Sequence, residues 1–305
     1  MPEVNTGRKT MVLLANLNCD HVLQLDTPLT AGGRLHYRDD GRRLGGGAAN
    51  TGIGLCWAGH KVMPVSRVGR DEAGDWLLQQ AMGLGLKLDY VERFEGITGE
   101  LLVLVDSLGE RTILREARVP VLPARLPGEP VDCLYVNTEG PEVAEYMTAM
   151  NAHSLVVSQC PRQPWPRPCR IMIASAADLG SVTDPWMHAR SLAGDSLEWL
   201  VLTHGEQGAE AISAGQRLYV PAPTVEVVDA TGAGDAFAGG LIHALVNGAA
   251  MSECLAEAGH WAACTLSSSS SIPSERLRHY LAGELNSAPA TDKLMKNKAN
   301  GDRPE

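Results

Sequence analysis

At 305 residues, 44% of them hydrophobic, the chain is long enough to bury a large core and reads as globular. A formal net charge of −10 without any basic run argues against nucleic acid or an anionic membrane surface as a main partner. No stretch approaches the ~20 apolar residues of a membrane span, and seven cysteines without Cys-x-x-Cys or zinc spacing point to a reducing cytoplasm rather than a disulfide frame.

Residues 11–15 form a short apolar run ending in Asn16-Leu17-Asn18-Cys19-Asp20. A buried parallel strand delivers polar groups to its C-terminal end in this way, and ligands of open α/β sheets bind there. Arg8 and Lys9 ahead of the run imitate a signal peptide, but Asn16 interrupts it and no small-residue cleavage site follows. From Asp20 an extended excursion is expected through Pro28 and Gly32-Gly33 into exposed strands over 34–44. Gly45-Gly46-Gly47 then opens a helix over 48–58 that Gly59 is placed to end, with Asn50 facing a cleft from its first turn. A strand over 62–65 and a helix through Met82 follow, and 101–105 with 111–114 flank Ser107-Leu108-Gly109-Glu110 as a hairpin.

Strands over 133–136 and 154–157, joined by a helix over 141–151, read as a βαβ crossover that brings Asn137, Thr138 and Glu139 to the edge of Asn18 and Asp20. Residues 161–168 carry four prolines and read as an irregular connection. Strands over 170–174 and 197–203 lead to the turn His204-Gly205-Glu206-Gln207-Gly208 and on to 209–213. A β-branched run reaching Val228 reads as a strand end, Gly232 and Gly234 as a tight turn, and 235–247 as a helix. Helices over 252–264 and from Ser274 come next, and the polar, aperiodic tail 287–305 is expected to be disordered.

The turn before Asp235 has a chemical use. The first N–H groups of a helix lack internal partners and the macrodipole adds roughly half a positive charge, so an anion fits there. A carboxylate beside such a cradle repels a phosphate but suits removal of a proton from an attacking hydroxyl. The plainer alternative is that Asp235 only caps its helix.

Two stretches carry a resemblance. Asp229-Ala230-Thr231-Gly232-Ala233-Gly234-Asp235 is similar to the second signature of the ribokinase-like (pfkB) sugar kinases, and Gly45-Gly46-Gly47-Ala48-Ala49-Asn50 resembles the first. The resemblance implies an α/β fold: a three-layer α/β/α sandwich with a mostly parallel central sheet and a small β lid. One kinase domain over 10–286 is implied, its lid strands within 20–44 and 97–116.

The same resemblance implies ATP-dependent phosphorylation of a primary hydroxyl of a small sugar. Asp235 is the implied general base, with the N–H groups of Gly232, Ala233 and Gly234 stabilising charge on the transferred phosphoryl. Asn18, Asp20, Gly46, Gly47, Asn50 and Glu139 are the implied sugar contacts, Asp20 accepting from two hydroxyls. Thr203, Gly205, Gly208 and Thr231 fall on the nucleotide side. Asp178 is the implied Mg2+ ligand, acting through water, and Asp229 with carbonyls of 267–271 an implied K+ site. Unpaired lid edges imply a homodimer.

The sequence also departs from the pattern. Gly47 stands where ribokinases carry a lysine, which removes a charged sugar contact and puts ribose itself in question. Ser175-Ala176-Ala177-Asp178 stands in place of the family's Asn-x-x-Glu. Two other readings stay open on these grounds: a nucleoside kinase of the same family using the room beside Gly47, and a non-catalytic sugar-binding regulator that has lost Mg-ATP chemistry. The sequence lacks a Walker A motif, which excludes a P-loop kinase.

Overall fold

The computed structural model describes residues 7–116 and 122–285, so the tail 287–305 lies outside the described residues. The chain begins with β1 (Thr10–Ala15), β2 (Asn18–Leu25), β3 (Tyr37–Gly45), α1 (Gly47–Trp57), β4 (Lys61–Gly69), α2 (Glu72–Gly83) and β5 (Tyr90–Phe94). It continues through β6 (Glu100–Val105), β7 (Arg111–Arg115), β8 (Cys133–Asn137), α3 (Val143–Asn151), β9 (Leu155–Gln159) and β10 (Ile171–Ser175). Then come α4 (Ala176–Leu179), α5 (Pro185–Ala193), β11 (Trp199–Thr203), β12 (Ala209–Ile212) and β13 (Arg217–Val220). Helices α6 (Ala233–Val246), α7 (Met251–Leu266) and α8 (Glu275–Leu281) complete the order.

Strand β1 shows why the molecule is layered. Met11, Leu13 and Ala15 enter one core with residues of α1, α6 and α7, while Val12 and Leu14 enter a second core with residues of α3 and α5. A strand buried on both faces needs helices on both sides, and its unbroken apolar run follows from that. The large sheet has the order β13-β12-β11-β10-β9-β8-β1-β4-β5. Its strands from β5 to β11 run parallel, and β12 and β13 are antiparallel additions at one edge. Polar residues that follow β1, β8, β10 and β11 therefore gather along one edge of the sheet.

A separate small sheet has the order β3-β2-β6-β7 and forms the lid. Only Asn16 and Leu17 separate β1 from β2, so the lid grows directly out of the C-terminal end of the central strand.

Three differences from the sequence reading have physical causes. The run reaching Val228 is not a strand: β13 ends at Val220, and 221–232 is irregular. Pro221 and Pro223 remove ladder donors there, and Val227 and Val228 stay 59% and 61% exposed, held by the Val228 and Asp229 N–H groups donating to Leu266 O. Strand β5, unassigned from sequence, mixes charge with apolar residues because it is the sheet edge beside β4. Helix α5 carried a readable signal: the Asp184 side chain accepts from Met187 N and Pro185 occupies the first turn.

Candidate active site

Helix α6 starts where Gly232 adopts a left-handed φ of 80°. A Cβ at Gly232 would lie 2.1 Å from Ser271 O, so the turn closes only with glycine. Asp235, in the first turn of α6, is held by two side-chain amides: Asn50 Nδ2 donates to its Oδ2 at 2.9 Å and Asn137 Nδ2 to its Oδ1 at 3.3 Å. Asn50 comes from the first turn of α1, and Asn137 is the last residue of β8. Thr51 Oγ1 also donates to Asp235 O at 3.1 Å, fixing α1 against α6. Burial pushes the Asp235 carboxyl above its ordinary range, and the Asn50 hydrogen bond offsets part of the rise.

Asp20 lies across the glycine run from Asp235. A Cβ at Gly45 would come within 2.2 Å of Asp20 Oδ2, and Gly46, at φ 87°, precedes α1. A Cβ at Gly47 would come within 2.7 Å of Asn137 Nδ2, so the room expected beside Gly47 is filled by the amide that serves Asp235. Asp20 Oδ1 and Asn50 Oδ1 are buried acceptors without a hydrogen-bond partner among the described residues. Burial raises the Asp20 carboxyl to about 6, against the lowering fields of Arg115, Arg111 and Arg43. Asn18 lines a cavity of about 270 Å3 with Asn16, Ser66, Arg115 and Thr138. Glu139 instead turns to the proline-rich connection, where its Oε1 accepts from Arg162 N at 2.8 Å. Buried Arg167 of that connection donates to Thr138 O.

Of the residues expected at the nucleotide, Thr203 ends β11 beside Ser175 of β10, and Gly205 and Gly208 form the following turn at φ 58° and 114°. Thr231 Oγ1 accepts from Arg111 of β7 at 3.0 Å. Arg111 also forms an ion pair with Asp229, whose side chain is 7% exposed, and Thr231 N donates to Asp229 Oδ1 at 2.9 Å. The K+ site expected at Asp229 does not fit this arrangement, because its carboxylate is committed to a guanidinium that would repel a second cation. Asp178 is exposed in α4, the short helix after β10, and the described residues hold no group of three or more His, Cys, Asp or Glu able to hold a metal alone. One carboxylate fits Mg2+ carried in on phosphates, since that ion keeps several waters.

A second hollow, of about 370 Å3, lies at the opposite ends of the strands among Asp132, Leu155, Ile171 and Trp199. Its Arg170 and Glu198 are paired with each other. Ligands of parallel sheets bind at the C-terminal edge, which favours the Asp20–Asp235 region.

The pfkB family carbohydrate kinase model matches residues 20–117 and 182–277, which include both glycine stretches, the lid strands and α6. The chain belongs to the pfkB family of carbohydrate kinases. This is a family of ATP-dependent phosphotransferases. The kinase is 23% identical over 274 residues to a ribokinase of Haemophilus influenzae, covering 81% of this chain and 89% of that protein. It is 28% identical over 233 residues to an aminoimidazole riboside kinase of Salmonella typhimurium, covering 66% and 73%. Its fold matches the structure of Arabidopsis thaliana ribokinase complexed with ribose and ATP at a TM-score of 0.71, with 20% identity over 90% of this chain and 99% of the other.

Sequence reasoning brought Asn137 to the edge of Asn18 and Asp20 without giving it a role, and did not assign Arg43, Arg111 or Arg115 to the kinase's site. Asn137 had a signal, being the polar residue that ends a buried parallel strand. The arginines had none, because only strand register across the lid brings them together.

Proposed function

We propose that this kinase transfers the γ-phosphoryl group of ATP to a primary hydroxyl of a small sugar, with Asp235 as general base. The observation that carries the reading is the pair of amides on Asp235. Each carboxylate oxygen accepts one N–H, from Asn50 and from Asn137, which orients the group and leaves lone pairs for a hydroxyl. Among the described residues no cation pairs with Asp235 to weaken it as a base, and burial raises its proton affinity.

In the step itself the hydroxyl proton passes to Asp235 and the hydroxyl oxygen bonds to the γ-phosphorus. The bond from that phosphorus to the β–γ bridging oxygen breaks, and ADP leaves with its electron pair. Charge developing on the transferred group faces the start of α6, where the N–H groups of Gly232 and Gly234, and that of Ala233 once released from Ala230 O, lie along the direction of the helix dipole. A Cβ at Gly234 would meet nothing within 4 Å, which leaves the approach open. Asp178 would hold Mg2+ through waters, and that ion supplies charge neutralisation on the phosphates when bound. The buried, unpartnered Oδ1 atoms of Asp20 and Asn50 are the acceptors for sugar hydroxyls, with Asn18, Gly46 and Gly47 lining the approach.

The test is ADP release from ATP with pentoses, hexoses and nucleosides as acceptors. Sugar-stimulated release supports the reading; nucleosides as the sole acceptors would replace it with a nucleoside kinase, a reading favoured by the Salmonella riboside kinase relative. Sugar binding without any ATP turnover would replace it with a regulator.

A homodimer through the lid is part of the same proposal. Leu102 and Leu114 are opposite one another in register and are 36% and 49% exposed, so the lid presents apolar surface beside two open edges. A monomeric mass in solution would contradict it. Use of ATP and seven free thiols suit the cytoplasm.

A further inference from the structure

The groups expected to hold K+, Asp229 and the carbonyls of 267–271, are already in contact with cations. Asp229 Oδ1 accepts from Thr231 N at 2.9 Å, and its Oδ2 is ion-paired with Nη2 of Arg111. Nη1 of the same guanidinium donates to Thr231 Oγ1 at 3.0 Å, so Arg111 bridges two residues of the glycine turn. Of the loop carbonyls, that of Ser269 accepts from Arg43 Nη1 at 3.3 Å. The loop lies hard against the turn, since a Cβ at Gly232 would sit 2.1 Å from Ser271 O.

Both arginines belong to the lid. Its sheet has the order β3-β2-β6-β7, with Arg43 on β3 and Arg111 on β7, so each edge strand drops one guanidinium onto the body. They are not equally committed. Arg43 is shared with Asp40 of its own strand and is the more exposed of the two, whereas Arg111 is the charge that meets Asp229. Asp229 is nearly buried, and a buried carboxylate without a counter-charge is costly and would repel an anion brought to the turn beside it. One cation is therefore required there, and a second is repelled by the first in surroundings of low dielectric. A guanidinium meets the need with directional, charge-assisted hydrogen bonds that fix the turn as well as neutralise it.

We infer that the monovalent cation of this turn is built into the chain: Arg111, with Arg43 beside it, stands in place of K+, and the kinase is indifferent to alkali cations. The inference rests on the kinase reading and deepens it. Charge at the anion turn then depends on the lid sitting on the body and not on the ionic medium.

The experiment compares KCl with tetramethylammonium chloride at equal ionic strength, so that general screening is the same in both. ADP release is measured with Mg2+, ATP and the acceptor that stimulates it most, and thermal melts are recorded without acceptor. The wild-type chain is expected to show the same kcat/KM and the same melting temperature in the two salts. Arg111→Ala is expected to lose about 10²-fold in kcat in tetramethylammonium and to regain at least about tenfold in KCl, as K+ enters the vacated place. K+ should also raise the melting temperature of the variant, because it binds the folded state alone. Arg111→Gln, which removes the charge but keeps a donor for Thr231 Oγ1, is the second variant, with the same outcome expected. A saturable stimulation or stabilisation of the wild-type chain specific to K+ overturns the inference. Variants equally impaired in both salts, with no difference in melting, overturn it too, for Arg111 is then a strut and not a cation. If neither variant folds, the wild-type comparison decides. If no acceptor stimulates ADP release, the kinase reading fails by itself and the melts decide the cation question: K+ stabilising the variants but not the wild-type chain upholds the inference, and any other pattern overturns it.

Discussion

Arg111 of the lid is ion-paired with Asp229, at the foot of the glycine turn that opens α6. Its second hydrogen bond, to Thr231 Oγ1 at 3.0 Å, ties the same guanidinium to the neighbouring turn residue. Arg43 makes a second lid-to-body link to Ser269 O. The lid is therefore fastened to the glycine turn that opens α6, so that the proposed sugar site and the proposed anion turn are held in one arrangement.

Arg111→Ala should lower kcat by about 10²-fold, the scale of a displacement of about an ångström at the reacting groups. It should also lower the melting temperature, because Asp229 is left buried without its partner. Steady-state kinetics with a thermal melt check both. An unchanged kcat would show that the lid's hold on the turn is irrelevant to turnover.

Proton affinity at Asp235 gives a pH prediction. Its carboxyl is raised by burial and partly lowered again by Asn50, and it must be ionised to accept a proton. Activity is thus present above the raised pKa and is lost as pH falls through it. Asp20, raised to about 6, adds to the same acid limb. Removing the donor in Asn50→Ala should move the acid limb of kcat/KM to higher pH. A limb that stays in place or moves to lower pH would mean that this hydrogen bond does not tune the base.

Gly45 offers a test of the sugar side. A methyl there would sit 2.2 Å from Asp20 Oδ2 and displace the carboxylate from its place over the glycine run. Gly45→Ala should weaken sugar binding by about 10²-fold, the cost of losing hydrogen bonds to a charged acceptor, while ATP binding is preserved. Calorimetry with each ligand separates the two. Equal losses for both would point to a general disturbance of the fold.

Much of this was legible in the sequence, and the parts that were not share a cause. Met11–Leu14 announced a strand buried on both faces, and the hairpin around Gly109 announced β6 and β7, because local pattern decides both. The β-branched run at Val227 and Val228 misled, since a strand needs a neighbour and the chain there meets the end of α7 instead. Asp235 stood in a recognisable glycine stretch, and Asp20 at the polar end of the first apolar run. Arg111 and Arg115 did not, for their position depends on which strands pair and in what register. Glu139 was expected at the sugar, but the fold brings the proline-rich connection close enough for Arg162 N to donate to it.

The central claim is that Asp235 removes the proton from the acceptor hydroxyl, and the most direct measurement is turnover and sugar binding by Asp235→Asn. That substitution keeps the size of the side chain and its place beside Asn50 and Asn137 while removing the base. The account predicts turnover lowered by about 10³-fold or more, within the scale of general acid–base and charge effects at such sites, with sugar affinity within a few-fold of the wild-type chain. Near-normal turnover in Asp235→Asn would contradict it.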